Sequence, residues 1–270
     1  MKIVDKLGTP FEQLVIYGGP KSLKTRTATA PRGDKWEPIG YVAADARVPK
    51  GGDVEAFTSI AMKSILDPDR LVIATPTGEP NVLQESHDII EWAGAQAKEG
   101  RIKTLVWDPF TVTAETLLQE YADNGITGAP AATLGSREKG TWHTAPGKHH
   151  YGAVHGSVMF LLQALRKLPL NLILVFHEEF DDAEGNIDGM VGGPKTVGSA
   201  QIRIIPGIFD TIRTKCVQVA PGKTQVVAST VREGIWLAGI RSRQKSLPAS
   251  LVLESDPVNF WKLFDEKGPQ

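Results

Sequence analysis

An apolar run, Leu14-Val15-Ile16-Tyr17, feeds directly into Gly18-Gly19-Pro20-Lys21-Ser22-Leu23-Lys24-Thr25. This reads as a strand, a tight loop and a helix start. The spacing fits the pattern G-x-x-x-x-G-K-[ST] at Gly18, Lys24 and Thr25, and departs from it at Leu23, where the pattern has glycine. A loop of this kind wraps backbone N–H groups round a phosphate, sends a lysine to the terminal phosphates and presents a hydroxyl to Mg²⁺. Lys24 and Thr25 supply the last two, and the Leu23 side chain has to point away from the ligand. The candidate nucleotide-binding residues are therefore Gly18, Gly19, Pro20, Lys21, Ser22, Leu23, Lys24, Thr25 and Arg26. Lys21 is a candidate second phosphate contact. The plain alternative is a lysine-bearing turn in front of a helix.

The rest of the chain must supply a sheet for that loop to sit on. Two features make the loop helix short and the next strand chemically interesting. Pro31-Arg32-Gly33-Asp34 stops the helix after a turn or two. Pro38 to Asp45 then reads as a buried strand with an acid at its C-terminal end, the end at which ligands sit in open α/β sheets. A helix is expected over 54–66, a strand over 70–74, and a helix through Lys98 with Ser86 as its N-cap. Ile102 to Asp108 is an apolar strand ending in aspartate, two βα units beyond the loop. That is the form of a Walker B strand, whose acid helps hold Mg²⁺ behind the loop hydroxyl. Thr25 and Asp108 are the candidate metal-binding pair.

A helix is expected over 113–124, a long surface loop with solvated histidines over 125–150, and an amphipathic helix over 151–167. The strand Asn171–Phe176 is expected to end at His177, a histidine that either caps the strand beside a turn or, from its place after the Walker B strand, is a candidate to sense the terminal phosphate. Residues 181–200, glycine-rich and without core periodicity, read as a loop whose one strong basic residue is Lys195. Ile202–Phe209 has a strand-like start. Two strands, 210–219 and 224–229, form a hairpin across Pro221-Gly222, and a further strand spans 234–240. Arg241 and Arg243 follow it. The apolar end, Val258 to Phe264, is expected to pack as a short helix.

Global properties narrow the function class. The formal net charge over 270 residues is -1, so nucleic-acid binding would need a local basic patch. With one cysteine, Cys216, there is neither an internal disulfide framework nor a multi-cysteine zinc site. No apolar run approaches a membrane span, and the N-terminus lacks the apolar core of a signal peptide. The expectation is a cytoplasmic chain forming one domain over 1–270, with its core at about 12–243 and a C-terminal tail over 244–270.

The order of these parts resembles RecA-like ATPase cores. More narrowly, IYGGPKSLKT, PIGYVAADA and the block from LILVFHEE to PGIFD resemble phage ATP-binding recombination proteins of the Sak-type single-strand-annealing group. The resemblance implies an α/β RecA-like P-loop NTPase, with a mostly parallel central sheet flanked by helices and a C-terminal β-hairpin extension. It implies ATP and Mg²⁺ as cofactors, a ring or filament of identical subunits, and single-stranded DNA and a single-strand-binding protein as partners, in a host cytoplasm. Arg241 and Arg243 would reach a neighbour's nucleotide. Such proteins carry a glutamate near the end of the second strand; this chain has Asp45-Ala46-Arg47. The candidate catalytic set is thus Lys24, Asp45, Asp108, His177, Arg241 and Arg243. The shorter acid and Leu23 keep open a second expectation, a non-catalytic nucleotide-binding scaffold or helicase-loader-type partner.

Overall fold

The computed structural model describes residues 11–45, 71–74, 81–126, 146–181, 191–198, 200–240, 247–253 and 257–265. Its backbone is a single sheet built on six parallel strands. In spatial order these are β3 (Leu71–Ala74), β2 (Ile39–Ala43), β4 (Thr104–Asp108), β5 (Asn171–Asp181), β1 (Gln13–Gly18) and β7 (Asp210–Ala220). The strand that carries the loop therefore lies between β5 and β7, and β5 separates it from the strand that ends in Asp108. Beyond β7 the direction reverses. The hairpin partner β8 (Lys223–Ser229) and then β11 (Ser250–Leu253) pair antiparallel, so the expected C-terminal hairpin forms and gains an outer strand.

The central strands read as continuous apolar runs because both faces are covered. Alternation divides each strand between two cores. Val15, Tyr17, Leu172, Leu174 and Phe176 face α2 (Val82–Lys98), α3 (Phe110–Asn124), α4 (Lys148–Arg166) and α5 (Ala200–Ile208). Leu14, Ile16, Ile173 and Val175 face the opposite side, with α1 (Lys24–Thr29) and the C-terminal α6 (Val258–Asp265). Among the described residues no helix is long and apolar enough to cross a membrane.

Several local expectations change. Ile202–Phe209 is helical through Ile208, not a strand: Ile202, Ile205 and Phe209 are all buried and recur at helical spacing, which outweighs the Pro206-Gly207 signal. Within 181–200, expected to be all loop, β5 runs on to Asp181 and Val191–Pro194 forms β6, antiparallel to it. The glycines there make room: a Cβ on Gly192 would lie 2.3 Å from the Trp236 ring of β10 (Trp236–Gly239). The α2 N-cap is Asn81, whose side chain accepts from the Gln84 amide; Ser86 is buried within the helix. His150 is no solvated loop residue. It is fully buried in the first turn of α4, where its Nδ1 accepts the Gly147 N–H at 2.9 Å. The expected helix over 54–66 lies outside the described residues.

Candidate functional site

The loop between β1 and α1 is shaped by two close approaches and two left-handed residues. At Gly18 the backbone passes so near β7 that a Cβ would lie 2.0 Å from the Thr214 carbonyl oxygen. Ser22 is buried beneath the loop; its hydroxyl donates to the Gly19 carbonyl at 2.8 Å and lies 2.9 Å from the Thr214 hydroxyl. Lys21 and Leu23 both have φ of 59°. Leu23 is the N-cap of α1 and so adopts the conformation that glycine has in the usual pattern. For an L-residue this costs about 1–2 kcal/mol. Packing of its half-buried side chain against the lower core offsets part of that. Left-handed residues at alternate positions turn successive N–H groups toward one concave side, the geometry of an anion nest.

Lys24 opens α1, and its Nζ donates to the Gly19 carbonyl at 2.7 Å. Burial pulls the ammonium below the usual lysine value, against the fields of Asp108 and Glu178. Asp108 closes β4 and is almost wholly buried. Burial pushes its carboxyl up to about 6, although the Thr25 and Tyr41 hydroxyls hydrogen-bond to it and favour the anion. The Tyr41 hydroxyl donates to Asp108 Oδ2 at 3.2 Å. Asp45 stands just beyond β2 with an accessible edge; desolvation raises its carboxyl and His177 opposes the shift. His177 sits where β1 ends, paired in register with Gly18. Burial, Lys24 and Lys195 all lower its imidazole. The strand does not end there, contrary to expectation, because β6 pairs with its continuation.

The structure thus gathers Lys24, Thr25, Asp45, Asp108 and His177 at the carboxyl end of the sheet. Pro20 and Lys21 are exposed on the loop, and Arg26 lies half-buried in α1. Arg241 and Arg243 lie outside the described residues. Lys195 joins the rim of this site: its Nζ pairs with Glu115 at 2.8 Å, and its backbone N–H donates to the His177 carbonyl at 2.7 Å. Thr111 bridges His177 within β5 and Lys195 just after β6. Its hydroxyl donates to the Lys195 carbonyl at 2.7 Å and accepts the His177 N–H at 3.0 Å.

Sequence reasoning passed over Tyr41, Thr111 and Glu178, and it missed the pairing of Glu178 with Arg213. Glu178 Oε1 abuts Gly19, within 2.8 Å of where a Cβ would stand. Its Oε2 accepts Arg213 Nε and Nη2 at 3.2 and 3.0 Å, and the guanidinium lies 3.7 Å from the centroid of the Trp236 ring. A tyrosine inside the aliphatic strand IGYVA was a usable signal, since a buried hydroxyl needs a partner. The pairing of Arg213 gave no such signal, because its partner comes from β5.

These donors suit a phosphate and a hard cation. The nest and Lys24 offer N–H groups to an anion. Thr25 and Asp108 offer a hydroxyl and a buried carboxylate whose charge lacks a full counter-charge, the oxygen-donor chemistry of Mg²⁺.

No family model matches the sequence, and no curated protein matches it. Among solved structures the chain is similar to a KaiC-like protein from the hyperthermophilic archaeon Pyrococcus horikoshii OT3. The match has a TM-score of 0.52 at 13% identity and covers 93% of this chain and 89% of that chain. Likeness at that identity establishes the fold alone, an α/β arrangement of helices on a mostly parallel central sheet, and leaves the activity to be argued from the site.

Proposed function

We propose that the chain is a Mg·ATP-binding RecA-like ATPase, organised as one domain, whose site is formed by Gly18–Thr25 and Asp108. The observation that carries this reading is the meeting of Lys24, Thr25 and Asp108 under a loop with two left-handed residues. Lys24 and the loop amides hold the phosphates, Lys21 adds an exposed contact, and Thr25 and Asp108 hold the cation. When bound, the ion supplies charge screening at the phosphate oxygens. Asp45 orients the attacking water. His177, lying in the fields of Lys24 and Lys195, registers the terminal phosphate through its bonds to Lys195 and Thr111. In a ring or filament, Arg241 and Arg243 complete a neighbour's site.

The finer reading is action in DNA recombination or single-strand annealing, in a phage setting, with single-stranded DNA and a single-strand-binding protein as partners. It rests on the resemblance of IYGGPKSLKT, PIGYVAADA and the LILVFHEE–PGIFD block. A second reading, nucleotide binding without turnover in a scaffold or loader, draws on the short acid Asp45 in place of a glutamate.

Titration calorimetry with Mg·ATP, paired with phosphate release in the presence and absence of single-stranded DNA, tests these readings. The wild type binds, Lys24→Ala weakens binding about 10- to 100-fold by loss of a charged contact, and DNA stimulates release. A wild type that does not bind, or a Lys24→Ala variant that binds as tightly, defeats the nucleotide reading. Binding with no phosphate release under any DNA condition selects the scaffold. Absence of a mobility shift with single-stranded DNA at low salt removes the annealing role.

A further inference from the structure

The helix that presents Lys24 and Thr25 is six residues long. A helix of that length has no independent stability in water, so its position depends on what it packs against. Its last carbonyls also need donors. Arg32 Nη1 lies 3.2 Å from the carbonyl of Thr29, the last helical residue, and 2.9 and 3.2 Å from those of Ala30 and Pro31 just beyond it. The Thr27 carbonyl has a weak 3.4 Å bond from the Ala30 amide and a 2.6 Å bond from the indole Nε1 of Trp261. Trp261 lies 234 residues away in sequence, in the C-terminal helix α6, and is 1% exposed. It is held there by Trp36, with ring centroids 4.9 Å apart, and by Phe260 and Phe264 at 5.2 Å each. Lys35 Nζ donates to the Phe264 carbonyl at 3.0 Å, fastening the end of α6 to the segment that follows α1.

We propose that Trp261 is a positioning residue for the nucleotide site: its indole N–H fixes the short loop helix, and nucleotide affinity is thereby coupled to docking of the C-terminal helix. This rests on the nucleotide-binding reading of Gly18–Thr25. The coupling is reciprocal, so ligand at the loop also tightens the docked helix.

Trp261→Phe keeps an aromatic ring in the cluster and removes the donor. Val158→Ala weakens the opposite core on α4, away from α1 and α6, and serves as the stability control. Two readouts apply to each full-length variant: the Kd for Mg·ATP by calorimetry, and backbone hydrogen exchange over residues 24–30 without nucleotide. For Trp261→Phe we expect Kd to weaken about 5- to 30-fold, the loss of one buried hydrogen bond, with faster exchange over 24–30. For Val158→Ala we expect lower thermal stability with Kd within about twofold of wild type. Unchanged Kd and unchanged exchange in Trp261→Phe overturn the proposal, as does an equal loss of affinity in both variants. If the wild type fails to bind Mg·ATP, the nucleotide reading fails, while the exchange measurement still decides whether Trp261 holds α1.

Discussion

Asp108 should be a liability to the free protein and an asset to the liganded one, and Asp108→Asn separates the two. Its carboxyl is buried, and burial moves its pKa from 3.8 to about 6. Between those two values the native state binds more protons at this site than the unfolded state does. Stability therefore falls as pH rises through that window, and the full penalty persists above it. A shift of about two units corresponds to roughly 3 kcal/mol. Asparagine carries no charge and can still accept from Tyr41, though its amide N–H groups need new partners at a cost of about 1 kcal/mol or more. At pH 7.5 the variant should exceed the wild type in unfolding free energy by about 1–2 kcal/mol. At pH 4 little of the charge penalty remains while the amide cost persists, so the variant should be level with the wild type or below it by up to about 1 kcal/mol.

Urea denaturation across pH 4 to 8, without divalent cation, measures both quantities. Repeating it with saturating Mg·ATP should reverse the order, because ligand stabilises only the form that binds it. Parallel pH dependences for wild type and Asp108→Asn, with no gain in stability at pH 7.5, would refute the claim that burial strains this acid. A gain in stability together with undiminished Mg·ATP binding would leave the strain intact and remove Asp108 from the metal site.

At Leu23, whose φ is 59°, substitution should invert the ordinary helix preference. Leu23→Ala loses packing and keeps the strained backbone, while Leu23→Gly loses packing and relieves it. The glycine variant should therefore be about 1 kcal/mol the more stable by denaturant unfolding. Gly18→Ala places a methyl 2.0 Å from the Thr214 carbonyl and forces β1 from β7. It should cost about 1–3 kcal/mol or block folding, whereas Gly33→Ala, open to solvent but at φ 89°, should cost about 1 kcal/mol through backbone strain alone. Arg213→Lys keeps the charge but loses the two-nitrogen grip on Glu178 and the flat stack on Trp236. We expect a loss of about 1–2 kcal/mol, checked in a double-mutant cycle with Glu178→Gln.

The parallel core was legible because its strands are buried on both faces and so appear as unbroken apolar runs: LVIY, TLVW and LILVF needed no knowledge of their neighbours. The loop, Asp108 and Asp45 were legible because a strand's carboxyl end is marked by the residue type that follows it. What failed had its determinants elsewhere in the chain. Gly192 and Gly193 look like loop filler until the Trp236 ring and Ile202 are seen filling the space above them. Glu178 reads as one of two adjacent acids until Arg213, 35 residues on, reaches it. Leu23 looks like a defect in the loop because the pattern encodes a backbone conformation through glycine. The conformation survives without glycine where packing holds it.

That last point extends to the whole site. Its local determinants are weak: a leucine in a left-handed conformation, a helix of six residues, a lysine and an aspartate both displaced by burial from their ordinary acid–base values. Each is sustained by residues remote in sequence. Thr214 closes the loop from beneath, Tyr41 steadies Asp108, and Trp261 anchors the far end of α1. The arrangement also orders the charges. Arg213, Glu178, Lys24 and Asp108 alternate in sign from β7 to β4, so the loop's lysine lies in the fields of two acids while its Nζ bonds the Gly19 carbonyl. A phosphate gives Lys24 a charge partner, and a divalent cation does the same for Asp108. On the nucleotide-binding reading the two would together relieve both desolvated groups, so phosphate and cation should bind more tightly as a pair than either alone.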